Sequence, residues 1–134
     1  MVVCMSKPKS LAHSITLLSP KNLKFEEVVP GVSKAMLQGN AENGPYVAFT
    51  KFAPGARNPL HTHSNEIRML VLSGAYVYTM DGKEHRAGPQ SYVVIPPHVE
   101  HTSGGDPKEG ALFLEESDQK FDMNWLNEEM QETG

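Results

Sequence analysis

Two of the six histidines, His61 and His63, are separated by a single residue. Residues i and i+2 of a β-strand project from the same face, so both imidazoles could reach one metal ion. A third protein ligand would have to come from another strand that faces the same space. Because a His-x-His pair arises easily by chance, its value as evidence for a metal site depends on the sequence around it.

The segments around these histidines are typical of short strands separated by turns. Strands are predicted at 15–18, 23–29, 32–38, 46–52, 67–72, 76–80, 83–87, 91–95 and 111–115, with His61–His63 in a further extended segment. Asp81-Gly82 is the strongest hairpin signal. Ten prolines and eleven glycines favour many turns and little helix. The pattern predicts an all-β sandwich or barrel, with one short helix over 124–131 anchored by Trp125.

Length and composition limit the function classes. The chain of 134 residues suits one domain, expected over 14–134 after a flexible leader at 1–13. A net charge of −4 gives no electrostatic reason to expect nucleic acid or an anionic membrane as a partner. No apolar run approaches the roughly 20 residues that a membrane-spanning helix needs. Cys4 is the single cysteine, so no internal disulfide is possible, and a cytoplasmic location is expected.

Two segments, in the same order along the chain as in the family, resemble the two motifs of the cupin superfamily. GARNPLHTHSNEIRMLVLSG, from Gly55 to Gly74, is similar to the first motif: glycine, five residues, His-x-His, a spacer with a carboxylate, then glycine. GPQSYVVIPPHVEH, from Gly88 to His101, is similar to the second. The resemblance extends from Tyr46 to Glu115. It implies a single jelly-roll-like antiparallel β-barrel that holds one divalent transition metal ion on His61, His63 and His101.

Glu66 departs from the family pattern. The position that usually carries a Glu or Gln ligand is occupied by Ile67, and Glu66 precedes it by one residue. On a regular strand that step turns the side chain to the opposite face. A bulge at Ser64-Asn65 could return Glu66 to the site as a fourth ligand or acid–base group. The alternative is a solvated carboxylate paired with Arg68 or Arg57.

The resemblance implies several functions. Iron, nickel, manganese, copper and zinc all accept imidazole ligands. Pocket walls of Ile67, Met69, Val71 and Phe113 would suit a small organic molecule as partner. A metal-dependent enzyme is favoured, with an oxidoreductase of the dioxygenase kind ahead of other reactions. A non-catalytic sensor domain for a metal or small ligand, or a barrel with an empty site, are the alternatives, so enzymatic activity stays open. Outward Leu70 and Leu72 favour a homodimer.

Overall fold

The computed structural model describes residues 14–126, and its regular secondary structure consists almost entirely of β-strands. One 3₁₀ turn, Pro20–Asn22, precedes them. The strands are β1 (Glu26–Val29), β2 (Val32–Gly39), β3 (Tyr46–Phe52), β4 (Arg57–Thr62), β5 (Ile67–Gly74), β6 (Tyr76–Met80), β7 (Lys83–Ala87), β8 (Tyr92–Ile95), β9 (His101–Gly105), β10 (Ala111–Ser117) and β11 (Asn124–Trp125). No helix among these residues is long and apolar enough to cross a membrane.

Two antiparallel sheets face each other. One has six strands in the order β1-β2-β3-β10-β5-β8, and the other has five in the order β11-β4-β9-β6-β7. The predicted all-β, jelly-roll-like architecture is confirmed. The sheets are not joined into a continuous closed barrel, so the arrangement is a jelly-roll-like sandwich.

The core lies between the sheets and follows the period-2 alternation of the strands. On β5, Ile67, Met69 and Val71 are buried, whereas Leu70 and Leu72 are exposed, as their parity predicts. Inward-facing aromatic rings fill the centre, with centroid separations of 5.9 Å for Phe52–Tyr76, 5.7 Å for Phe52–Phe113 and 5.5 Å for Tyr76–Phe113. Each such side chain contributes about 1.5–3 kcal/mol by leaving water.

Local signals account for the hairpin between β6 and β7. Asp81 and Gly82 have φ values of 54° and 78°, which a two-residue type I′ turn requires at both central positions. The flanking strands pair from Tyr76↔Ala87 to Met80↔Lys83, as predicted.

Three sequence-based expectations need correction or lie outside the described residues. Residues 15–18 are not a strand. The predicted helix over 124–131 is wrong where it can be compared, because Asn124 and Trp125 pair with Thr62 and His61 as strand β11. Its remainder from 127 onward, like the leader predicted at 1–13, lies outside the described residues.

Candidate metal centre

Strand pairing brings the three predicted histidines together. His61 on β4 lies directly opposite His101, the first residue of β9, and His63 follows β4 by one residue. The ring centroids are 4.4 Å apart for His61–His101, 4.9 Å for His61–His63 and 5.2 Å for His63–His101. All three side chains are buried. His61 and His63 therefore share one face, as their spacing predicts.

Each ring is oriented by a main-chain carbonyl at Nδ1. The distances are 2.7 Å from His61 to the Pro59 oxygen, 2.6 Å from His63 to the Asp122 oxygen and 2.9 Å from His101 to the Val99 oxygen. Since a carbonyl only accepts, Nδ1 must carry the proton in all three rings. Nε2 of each neutral ring is then left with a free lone pair.

The Nε2 atom of His101 is buried and has no hydrogen-bond partner among the described residues. Leaving a buried polar atom unpaired is costly unless something else satisfies it. The three histidines also offer ligand atoms that all lie within 4.8 Å of one another. Oriented Nδ1–H groups with convergent Nε2 lone pairs are the usual arrangement of metal-binding histidines. These residues fit a metal ion.

Burial keeps these imidazoles neutral. It lowers the pKa of His61 to about 4, an effect that outweighs the hydrogen bond to Pro59. Burial also lowers the pKa of His63 and of His101, against the opposing hydrogen bonds to Asp122 and Val99. Neutral imidazole is the form that coordinates a metal ion.

The structure does not bring Glu66 to the histidines. Its carboxylate is 44% exposed and lies 3.1 Å from Arg68 Nη1, in a surface network that also joins Arg68 to Glu116 and Asp118. Because Ile67 points inward at the start of β5, Glu66 points outward. The alternative of a solvated carboxylate paired with Arg68 therefore describes Glu66.

The other histidines lie elsewhere. His85 is exposed on β7, stacked on Tyr78 with centroids 5.0 Å apart. His98 occupies a turn with a φ of 68°, and its main-chain N–H donates to the His63 carbonyl over 2.8 Å. His13 lies outside the described residues.

A small cavity of about 40 Å³ adjoins His61 and His63. Ile67, Met69 and Phe113, three of the predicted pocket walls, line it. Val71 was also expected there, but it is fully buried in the core and does not reach the cavity.

The sequence reasoning missed a buried ion pair in the same cavity. Lys34 Nζ lies 2.6 Å from Glu115 Oε1 and 3.1 Å from Thr50 Oγ1, and Thr50 donates to Glu115 over 2.7 Å. Tyr46 donates to the second carboxylate oxygen. Burial alone would raise the pKa of Glu115, but the charge of Lys34 and these hydrogen bonds outweigh it and lower the pKa. The available signal was parity, because Glu115 shares the inward face of Ala111 and Phe113.

The C-terminal segment, residues 121–126, packs against two of the three histidines, and the sequence reasoning did not predict this contact. The ring of Phe121 lies 5.4 Å from that of His63, and the ring of Trp125 lies 5.6 Å from that of His61. Asp122 orients His63 through its carbonyl, and its side chain accepts from the Ser64 main-chain N–H over 2.8 Å. This segment thus orients one histidine and packs against two.

Comparison with known families agrees with this architecture. The family model of the ChrR cupin-like domain matches residues 13–120. The chain belongs to this cupin family. No curated protein matches its sequence significantly.

Solved structures show the same fold in this cupin's relatives. The polyketide cyclase RemF from Streptomyces resistomycificus superimposes with a TM-score of 0.71 at 20% identity, over 86% of this chain and 89% of RemF. KdgF from Halomonas sp. gives 0.63 at 19% identity, over 78% and 96%. A chain in the complex of Rhodobacter sphaeroides SigE with the anti-sigma ChrR gives 0.59 at 22% identity, over 75% of this chain and 51% of that one.

The hydrogen bonds at Nδ1 generate a spectroscopic prediction. Long-range ¹H–¹⁵N correlation spectra of the metal-free protein should show protonated Nδ1 and unprotonated Nε2 at all three histidines. Because the pKa of His61 is about 4, its ring should stay neutral when the pH falls from about 7 to about 5. A protonated Nε2 in any of the three rings at neutral pH would contradict the assigned arrangement.

Proposed function

We propose that this cupin binds one divalent first-row metal ion through His61, His63 and His101 and is a metal-dependent enzyme acting on a small organic molecule. The main support is the set of three buried imidazole rings. Each Nδ1 is hydrogen-bonded to a main-chain carbonyl, and Nε2 of His101 has no partner among the described residues. Iron, nickel, manganese, copper and zinc are the candidate ions.

The chain's own residues supply positioning and a small cavity with apolar walls and a few polar groups. Such an ion, when bound, supplies a Lewis acid and, where the metal is redox-active, an electron donor to dioxygen. Three protein ligands leave further coordination positions for a substrate. The apolar walls at Ile67, Met69 and Phe113 limit the space beside those positions. Lys34 and Glu115 add polar groups to the same cavity, a feature expected of a site that handles charge.

Metal content tests the site. The wild-type protein should bind about one first-row ion per chain, and the double variant His61→Ala/His101→Ala should bind none, because two of three ligands are gone. Elemental analysis after reconstitution with iron, nickel or zinc measures both. The control is His85→Ala/His98→Ala, which removes two exposed histidines. Equal metal content in both double variants would overturn the assignment, as would failure of the wild type to bind any of the three ions.

A sensor domain is the second candidate function. It is favoured by the match to the ChrR cupin-like model and by the likeness to a chain in the SigE–ChrR complex. In that case the same histidines would hold the metal ion, and ligand binding would change a contact with a partner protein instead of leading to turnover.

Turnover separates the two candidates. The enzyme proposal, with dioxygenase-type chemistry favoured, predicts that iron-loaded protein consumes oxygen with a small diketone, thiol or hydroxy acid. The activity should be lost in His101→Ala and kept in His98→Ala. An oxygen electrode and mass spectrometry of products, run beside anaerobic samples, provide the measurement. Ligand-induced thermal stabilisation without product under either atmosphere would favour the sensor.

A homodimer and a cytoplasmic location are further parts of the proposal. Leu70 and Leu72 on β5 and Tyr92 and Val94 on β8 are 38%, 43%, 62% and 44% exposed on the outer face of the six-stranded sheet. Leu70 and Tyr92 are direct cross-strand neighbours, so they form a continuous apolar patch at the sheet edge. A second copy of the chain could cover this patch with its own.

The dimer is testable through this patch. Leu70→Lys/Tyr92→Lys should convert the assembly to the 14.8 kDa monomer, because four ammonium groups would meet at a two-fold interface. Sedimentation equilibrium measures the mass. Met80→Lys is the matched control, since Met80 is similarly exposed, at 37%, on the other sheet. A monomeric wild type would contradict the dimer.

A further inference from the structure

A second polar group faces the candidate metal centre across its cavity. Lys34 and Glu115 line the same 40 Å³ space as His61 and His63. Both charged side chains are almost fully buried, at 4% and 3% exposure. Buried ion pairs are often no more stabilising than apolar residues of similar volume. Stability of the fold therefore gives little reason for a charged pair at this position.

One proton of the Lys34 ammonium has no oxygen or nitrogen acceptor within residues 14–126. An ammonium group donates three hydrogen bonds. Among residues 14–126, the acceptors of Lys34 Nζ are Thr50 Oγ1 and Glu115 Oε1. The ammonium also lies 4.4 Å from the centroid of the Phe121 ring, which is itself packed against His63. The third N–H therefore has only this ring as a neighbour, and an oxygen atom that enters the cavity would be a stronger acceptor for it.

Lys34 also lines an open groove that adjoins the cavity. This groove, of about 910 Å³, runs between β1–β2 and the C-terminal segment. Five residues line both spaces, and Lys34 is the single charged one among them; the others are Val28, Val29, Phe121 and Met123. Lys34 is therefore the charged group of the boundary between the two spaces.

The charge of the site favours an anion. The three histidines are neutral ligands, and Glu66, which could have added a negative charge, lies at the surface. The charges of Lys34 and Glu115 cancel each other. A divalent ion on these histidines would therefore keep its charge uncompensated by the protein, and an anionic ligand would restore the balance.

From this juxtaposition we infer that the ligand of this site is a small carboxylate with a neighbouring oxygen donor, such as a 2-hydroxy or 2-oxo acid, and that Lys34 binds one of its anionic oxygens. The inference rests on the proposed metal site. Glu115, held by Tyr46 and Thr50, is the positioning residue that keeps the ammonium directed at the cavity. A cavity of 40 Å³ holds about three water molecules, so only the chelating end of the ligand fits inside.

Glycolate and glycolamide test this inference, because they have the same number of heavy atoms and differ in charge. Both are titrated into cobalt(II)-loaded protein, where the visible absorption bands report coordination. The main variant is Lys34→Met/Glu115→Gln, which removes both charges and so leaves no unpaired buried ion. If the single variant Lys34→Met folds, its binding of both ligands is measured as well. The matched control is Lys51→Met, since Lys51 Nζ also lies 4.4 Å from an aromatic centroid, that of Phe25, but on the outer face.

The expected result is selective loss of anion binding. Wild type and Lys51→Met should bind glycolate at least about tenfold more tightly than glycolamide, the size of one charge-assisted hydrogen bond. In Lys34→Met/Glu115→Gln, cobalt content should stay at about one per chain, while the preference for glycolate should fall about tenfold, because the ion still attracts the anion but the hydrogen bond from Lys34 is gone. No preference in the wild type, or the same preference in the double variant, overturns the inference while leaving the metal site intact.

Failure of the metal site gives a different result. If the wild type binds no cobalt, the proposed function is overturned, and calorimetry of glycolate with the metal-free protein decides the inference separately. Binding that depends on Lys34 would support an anion site at this residue. Absence of binding, or binding unchanged in the double variant, would overturn it.

Discussion

The hydrogen bonds from three imidazole Nδ1–H groups to main-chain carbonyls are the interactions on which the site depends. The carbonyls of Pro59 and Val99 each lie two residues before the histidine they hold, whereas that of Asp122 comes from a distant part of the chain. Each bond fixes a tautomer and a ring orientation at once. Because burial disfavours the protonated ring, the same environment that orients the histidines also keeps their lone pairs available.

The interior of the sandwich has an apolar part and a polar part. Aromatic rings of Phe52, Tyr76 and Phe113 pack at one part of the space between the sheets, and the polar groups of the histidines, Lys34 and Glu115 line a cavity beside them. The apolar side lowers the local dielectric, which strengthens every charge interaction on the polar side. The buried polar groups in turn need hydrogen-bond partners, and Tyr46 and Thr50 donate hydrogen bonds to the Glu115 carboxylate.

Local sequence pattern was sufficient to predict most strands and to place His61 and His63 on one face, and it was insufficient where strand pairing determines the structure. Strands with alternating apolar or aromatic residues, such as β3 and β6, were predicted with their exact bounds. The β9 segment, His-Thr-Ser-Gly-Gly, carries no strand signal and becomes a strand because β4 and β6 pair with it on either side. Trp125 was predicted to lie in a helix because of the residues around it. Its strand pairing with His61 overrides that local helix propensity. Glu115 was overlooked because a charged residue at an inward position is expected to end a strand.

Completion of the site requires both sheets and the C-terminal segment. His61 and His101 are 40 residues apart in sequence and meet only when β4 pairs with β9, and the partner of His63 lies 59 residues away at Asp122. Lys34 and Glu115 are 81 residues apart and lie on the opposing sheet. A ligand that contacts the histidines and Lys34 together would bridge the two sheets. Its binding energy would therefore add to the stability of the whole sandwich, because the unfolded chain has no such site.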